Sequence, residues 1–598
     1  MAEEAVDGIF DAAGGRLRDQ IAQAGGEWKE PAAFKGSVGR TTFDAPDSED
    51  NSITVLLPHG NLQALPSQAL VRIVSQPDQR EYLGVVVKGP FAEPDGLRPD
   101  SHLVITTTIH GGMFMPSHHG RVHIELLGQR VDKVLQPPQF RPLPNSPVFV
   151  LDESETADVL RVRGDIRIGL AVGHTKVEVA IPSTSKSVLP RHTAIIGTTG
   201  GGKSTTVAGF IAQAQKAGLA VVLLDVEGEY TFLNEPTDDK TMVTRLNQVD
   251  GRPHGVTDMT LYHLEGRETA NPHHPNQKPF TLKFSDLSPY AVIEILDLSD
   301  AQQERFQLAY DTTKKLLREQ NLVSPVDDSE IDEFEGGYPG MRLDHMIDVC
   351  GAFLSALQKV DTAFISTDFK RKGAELTREV NAQKERTSHP VSWLALIGRL
   401  RRLHRLGAFD SANAKSLDYQ ILLESGNVGV IDLSDTESAD LNNLVITAIL
   451  RGIQKEQERL YAEAERGHDA IPRTLVIIEE AHEFLAKERI DRMPHLFAQV
   501  ARIAKRGRKR WLGLVFVTQL PQHLPNQVIG LVNNWVIHKI SDASVVTTLK
   551  QSVSGIDESL WTRLPGLAPG QAIVSCTHMH RPVLTAIDPT PAKLRMVD

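Results

Sequence analysis

Cysteine is nearly absent from this chain: Cys350 and Cys576 are the only two in 598 residues. Neither lies in a C-x-x-C pair or at a Cys/His ligand spacing, which excludes a disulfide framework and a structural zinc site and makes a reducing compartment the expected home. Long apolar runs are missing too; none approaches the roughly 20 residues that cross a bilayer. The opening Met1-Ala2-Glu3-Glu4-Ala5-Val6-Asp7 is acidic where a secretory signal is basic. These absences point to a cytoplasmic protein with no membrane partner, and they weigh against membrane-anchored conjugation or secretion pumps. No internal repeat is present.

What the chain does have is ordinary for a globular protein: 40% hydrophobic and 23% charged residues, which excludes wholesale disorder. Its length predicts about three or four domains. A net charge of −12, taken alone, disfavours nucleic acid. The basic residues are clustered, however, at Arg399, Arg401, Arg402 and Arg405 and again at Arg502, Lys505, Arg506, Arg508, Lys509 and Arg510. A ring with an acidic exterior and a basic channel has that distribution, and so do two solvated helix faces.

The hydrophobic pattern predicts an α/β P-loop core with a helical insertion, preceded by a small all-β barrel. Residues 1–150 carry short alternating segments, Ser52–Leu57, Leu70–Val74, Tyr82–Val87 and His102–Thr108, before a stiff connector at Pro137–Pro144. Residues 151–290 form the first part of the core, with continuous apolar runs at Thr193–Ile196 and Leu219–Asp225. Within it, Asn234–Lys278 reads as a polar surface loop; its Pro272-His273-His274-Pro275 matches no metal template. Residues 291–423 are helical in period, with an acidic loop around Asp327–Glu335. Residues 424–598 return to strands at Val428–Leu433, Thr474–Ile478 and Leu512–Thr518, and end from Pro589 in an extended arm or loose end.

Gly197-Thr198-Thr199-Gly200-Gly201-Gly202-Lys203-Ser204 fits G-x-x-x-x-G-K-[ST] between an apolar strand and a helix starting near Thr205. Glycines let successive N–H groups converge on phosphate oxygens, and the helix N-terminus adds positive charge. Lys203 would reach the β- and γ-phosphates and Ser204 would hold Mg²⁺, so ATP and Mg²⁺ are the expected cofactors. Hydrolysis further needs an acid near the metal and a group to orient water. Glu479 and Glu480, after Ile477-Ile478, supply both, with Glu479 on the metal side and Glu480 beside the water; Glu479 stands where such sites usually have Asp. Gln519 could sense the γ-phosphate or cap a turn before Pro521. Asp225, with Glu227 and Glu229, could touch the metal shell or form a solvated acidic loop. Arg506 and Arg508 are candidates for an arginine inserted into a neighbour's site; a solvated helix end and DNA phosphate contact are the alternatives.

Taken together, Arg191–Gly200 running into Lys203-Ser204, Asp225–Tyr230, Glu479-Glu480-Ala481-His482, Gly507-Arg508-Lys509 and Thr518-Gln519 resemble the HerA family of DNA-translocating ATPases, within the HerA/FtsK group. The resemblance covers roughly residues 160–590. It implies a RecA-like core, a HAS-barrel-like N-terminal domain, a homohexameric ring around double-stranded DNA, an arginine supplied in trans, and a nuclease or other effector docked on the barrel in DNA-end processing or antiviral defence. The leading expectation is therefore an ATP-driven DNA translocase or helicase; the alternative is a nucleotide-gated scaffold that activates a partner enzyme with little translocation.

Overall fold

The computed structural model describes Gln23 and residues 32–595 apart from 45–50, 96–100, 112–116, 133, 175, 324–332, 334–335, 361–362, 384–388, 437–438, 468–470, 487–489 and 492. Met1–Asp7 and, save Glu333, the acidic loop at Asp327–Glu335 lie outside the described residues. The chain forms two compact units, Met1–Val159 with Val172–Val177, and Leu160–Ala171 with Glu178–Asp598.

The first unit is built on β1 (Gly39–Thr41), β2 (Ser52–Leu57), β3 (Leu70–Val74), β4 (Glu81–Pro94), β5 (His118–Val131), β6 (Val134–Gln136) and β7 (Pro147–Val150). Their order is β2-β1-β7-β3-β4-β5-β6, and a further β2–β5 pairing closes six of them into a barrel with β6 outside the ring. Closure removes the exposed edges that would otherwise template aggregation. Alternation does the rest: Val122, Ile124 and Leu126 of β5 point into a core shared with Val55, Val71, Tyr82 and Val148. Register shifts at Leu83/Gly84, Val86/Lys88 and Lys88/Phe91 bend β4 around the barrel.

Two expectations are corrected here. His102–Ile109 is an α-helix, not a strand, despite its β-branched residues. It connects β4 to β5, which pair with each other along their lengths, so no ladder partner remains and its backbone satisfies itself as a helix. The proline-rich connector does not leave the barrel: Thr41 donates to the carbonyl of Leu143 at 2.8 Å, Arg141 donates to the carbonyl of Ser52 at 2.7 Å, and the chain returns as β7.

The second unit carries a twelve-stranded sheet. Its strands are β8 (Ile166–Ala171), β9 (Glu178–Ile181), β10 (Thr193–Ile196), β11 (Ala220–Asp225), β12 (Met259–Leu264), β13 (Gln277–Phe280), β14 (Val428–Asp432), β15 (Thr474–Ile478), β16 (Leu512–Thr518), β17 (Asn534–His538), β18 (Gln571–Ser575) and β19 (Val583–Ile587). The order is β13-β12-β14-β11-β15-β16-β10-β17-β18-β19-β8-β9. From β13 to β17 every pairing is parallel, and from β17 to β9 antiparallel. Every residue of β11, β14, β15 and β16 is buried, as expected of strands covered on both faces.

The expected loop at Asn234–Lys278 is a third correction: it contains the helix Lys240–Gln248, β12 and part of β13. Its Pro, His and Asn content hides the short buried run Met259–Leu264, which pairs with β14. Between β13 and β14 the chain inserts helices that include Asp300–Glu319, Leu343–Gln358 and Pro390–Arg405. Phe353 and Trp393 stack there, fully buried, with ring centroids 4.8 Å apart. Replacing Trp393 by Ala should cost about 3–5 kcal/mol through loss of that packing. A lowered urea midpoint is expected; an unchanged midpoint would show that these helices do not depend on the stack.

Candidate active site

The phosphate loop leaves the carboxyl end of β10. Gly200 and Gly202 have φ of +72° and +106°, which L side chains rarely adopt, and Gly202 opens the helix Lys203–Lys216. The loop rests on the end of β17. A Cβ at Gly197 would stand 2.5 Å from Cβ of His538, while the amide and hydroxyl of Thr198 donate to the carbonyl of Lys539 at 3.0 and 3.1 Å. His538 is buried and burial depresses its pKa to about 4, so the ring is neutral. Its Nδ1–H donates to the carbonyl of Gln571 at 3.1 Å, and Nε2 accepts from Thr206 at 2.9 Å. Sequence reasoning assigned no role to His538, because nothing marks a lone histidine at a strand end.

Lys203 donates to the carbonyl of Thr198 at 3.2 Å, and burial lowers its pKa against the opposing pull of Glu480, Glu229, Glu479 and Glu227. Ser204 donates to Oε2 of Glu229 at 2.9 Å. Glu229 comes from the turn after β11, and Gly228, at φ +72°, folds that turn back toward the phosphate loop. Asp225, expected on the metal side, is instead fully buried and outside the cavity wall. It accepts the amides of Gly228, Glu229 and Tyr230 at 2.8, 3.2 and 2.9 Å and hydrogen-bonds Glu479, so it organises the turn from behind. Burial and then the charge of Asp225 push the Glu479 carboxyl well above the usual range, and burial raises Asp225 as well.

Glu480 takes a left-handed conformation, φ 42° and ψ 46°, immediately after Glu479. Gln519 bridges it to the phosphate loop: Thr199 donates to Oε1 of Gln519 at 2.6 Å, and Nε2 of Gln519 donates to Oε1 of Glu480 at 2.9 Å. Oε2 of Glu480 lies 3.0 Å from Nδ1 of His482, off the line of the N–H, and has no aligned donor although buried. Burial alone would raise the Glu480 pKa, but His482, Gln519 and Lys203 outweigh it and keep the carboxylate below its usual value. A carboxylate held below its usual pKa in the cavity wall suits a water-orienting base.

These groups line one cavity of about 540 Å³, reached by Thr199, Gly200, Gly202, Lys203, Ser204 and Thr205 of the loop and by Glu227, Glu229, Glu479, Glu480 and Gln519. The donor set fits magnesium, which takes oxygen ligands and keeps several waters: Ser204 and Glu229 face each other, and Oε2 of Glu479 is buried with no partner. Arg506 and Arg508 are not in the wall. Arg508 is half-buried and donates to the carbonyl of Leu531 on its own chain, whereas Arg506, at the end of the helix Pro494–Gly507, is exposed.

The model of the helicase HerA central domain matches residues 166–453. The DNA double-strand break repair helicase HerA of Sulfurisphaera tokodaii is 24% identical over 467 residues, covering 78% of this chain and 77% of that protein. The Pyrococcus furiosus protein of the same name is 22% identical over 493 residues, covering 78% and 76%. Among solved structures, the plasmid coupling protein TrwB with a non-hydrolysable GTP analogue has a TM-score of 0.44 at 12% identity, covering 75% of this chain and 95% of that one.

Asp225→Ala would leave the amides of Gly228, Glu229 and Tyr230 without their acceptor. A loss of at least about 3 kcal/mol in denaturant unfolding is expected, whereas a loss below about 1 kcal/mol would mean the turn holds itself.

Proposed function

This chain belongs to the HerA family, an ATPase of helicase type, and from that premise we propose that it works as a homohexameric ring on double-stranded DNA, in the cytoplasm, feeding a nuclease or other effector in DNA-end processing or antiviral defence. ATP-driven movement on DNA is the core of the reading. The observation that carries it is the link Thr199–Gln519–Glu480, which ties a carboxylate base to the loop that cradles phosphate.

In this reading Lys203 leaves the Thr198 carbonyl for the β- and γ-phosphates, and the loop amides from Gly197 to Thr205 take the remaining phosphate oxygens. Glu480 accepts the proton of the attacking water. Ser204, Glu229 and Glu479 would hold magnesium, which would supply charge neutralisation to the phosphates. An arginine from the next subunit, Arg506 or Arg508, stabilises charge on the γ-phosphate, and the exposed position of Arg506 favours it. Arg401, Arg402 and Arg405, all exposed on the helix Pro390–Arg405, offer phosphate contacts to DNA. Among the described residues no helix is long and apolar enough to cross a membrane.

The scaffold reading keeps one specific support. The barrel unit exposes Phe43, Phe91, Val134 and Phe140, apolar side chains of the kind an effector could cover.

Purified protein should hydrolyse ATP faster with duplex DNA than without. Lys203→Ala should abolish turnover, and Glu480→Gln should retain ATP binding while slowing turnover about 10²–10⁴-fold. Intact turnover in Lys203→Ala would defeat the assigned site; DNA-independent turnover together with effector activation would favour the scaffold. Mixing Glu480→Gln subunits with Arg506→Ala subunits should restore part of the activity, and no recovery with either Arg506→Ala or Arg508→Ala would remove the in-trans arginine.

A further inference from the structure

The phosphate loop rests on a support that lies outside the cavity. His538, the last residue of β17, is fully buried and takes no part in the cavity wall. Three loop glycines close around it: a Cβ at Gly197 or Gly201 would stand 2.5 or 3.4 Å from Cβ of His538, and one at Gly202 would stand 3.6 Å from Cε1. An aliphatic side chain of similar size would fill that space with no polar group to desolvate. What explains an imidazole there is the use of its two nitrogens.

The neighbours fix the ring's proton. The carbonyl of Gln571, 3.1 Å from Nδ1, can only accept, so Nδ1 carries the hydrogen and Nε2 is left as an acceptor. Burial, helped by the charge of Lys203, lowers the ring's pKa to about 4, so no second proton joins it. Thr206, in the first turn of the helix Lys203–Lys216, sets its hydroxyl 2.9 Å from Nε2. The same hydroxyl lies 3.0 Å from the carbonyl of Gly202 and has one proton to give. With no acceptor at Nε2 it would turn to its own helix, as threonine hydroxyls commonly do. With Nε2 there, the first turn is tied to β17.

Two backbone ties run the same way. The Thr198 hydroxyl donates to the carbonyl of Lys539, and the Gly570 amide, just before β18, donates to the carbonyl of Gly201 at 3.2 Å. All three attachments lie on the side of β10 away from Glu479, Glu480 and Gln519. The first amides of a helix have no partner within it and are the ones that receive phosphate, so fixing the roll of this turn fixes where they point. We infer that His538 is a positioning residue for the phosphate loop: by accepting from Thr206 beneath Gly197, Gly201 and Gly202, it aims the first-turn amides at the phosphates. The inference rests on the ATPase reading above and adds to it a residue that acts through Thr206 without touching the ligand.

Titration calorimetry on the full-length protein, with magnesium and a non-hydrolysable ATP analogue, tests this beside urea unfolding. An asparagine amide reaches about as far as Nδ1 and a glutamine amide about as far as Nε2, so His538→Asn keeps the bond to Gln571 and His538→Gln keeps the bond from Thr206. His538→Asn should weaken the analogue about tenfold, while His538→Gln should stay within about threefold of wild type. Thr206→Val should match the loss in His538→Asn, Thr206→Ser should recover most of it, and joining Thr206→Val to His538→Asn should add less than about twofold. Each His538 variant breaks one of the ring's two bonds, so a purely structural role would lower both urea midpoints without ranking the affinities. Equal affinities in His538→Asn and His538→Gln, a Thr206→Val protein that binds as wild type does, or additive losses in the double variant would overturn the positioning role while leaving the phosphate site standing. A wild type that does not bind the analogue, or whose binding survives Lys203→Ala, would instead remove the ATPase reading itself.

Discussion

Parallel pairing from β10 to β11 is the constraint on which the site depends. Because β10, β16, β15 and β11 run in one direction as neighbours, their carboxyl ends emerge along one edge of the sheet. The phosphate loop, Gln519, the Glu479–Glu480 pair and the Asp225 turn are therefore delivered to one place by four separate stretches of sequence. None could be placed so by a hairpin, since antiparallel neighbours alternate their ends. The complete burial of β11, β15 and β16 makes that edge rigid: a one-residue slip would break the pairing on both sides.

The electrostatics of that edge are lopsided. Glu227, Glu229, Glu479 and Glu480 all act on Lys203 of the phosphate loop, while Arg245, Lys593 and Arg595 also line the cavity. Burial raises the pKa of Glu227, Glu229 and Glu479, as expected of carboxylates crowded together away from water. A polyphosphate added to such a cluster would meet like charge, so the cradle makes sense only with a cation between carboxylate and phosphate. The buried, unpartnered Oε2 of Glu479 agrees with this, since an isolated acceptor there costs stability that a ligand would return.

Much of this was readable in the sequence where function is written in contiguous residues. The loop Gly197–Ser204, the pair Glu479-Glu480 and the dipeptide Thr518-Gln519 each sit at the end of an apolar run, and a run with its terminal residues fixes both strand and site. What resisted was set by geometry between segments. Asp225 and Glu229 are both acidic and four residues apart; only the left-handed turn at Gly228 decides that Asp225 faces the amides and Glu229 faces Ser204. His538 is invisible until β17 lies beside β10. The helix His102–Ile109 defeats propensity because a closed barrel has no ladder to offer it, and β12 was lost in its polar surroundings. The terminal segment reads as a loose end because its partners, Glu229, Glu235, Thr237 and His254, lie more than three hundred residues earlier.

The Gln519 amide shows how occupancy and chemistry can be linked without any large motion. An amide has one acceptor end and one donor end, and both are committed here: oxygen to Thr199, nitrogen to Glu480. Flipping it would set nitrogen against the Thr199 hydroxyl and oxygen against a carboxylate, so its orientation is fixed by its neighbours. A phosphate that drew the Thr199 hydroxyl to itself would leave the Gln519 oxygen without a partner and loosen the amide that restrains Glu480. Glu480 already sits in a conformation uncommon for a residue with a side chain, so little would be needed to shift it. The phosphate loop and Glu480 are thus linked through one side chain, Gln519.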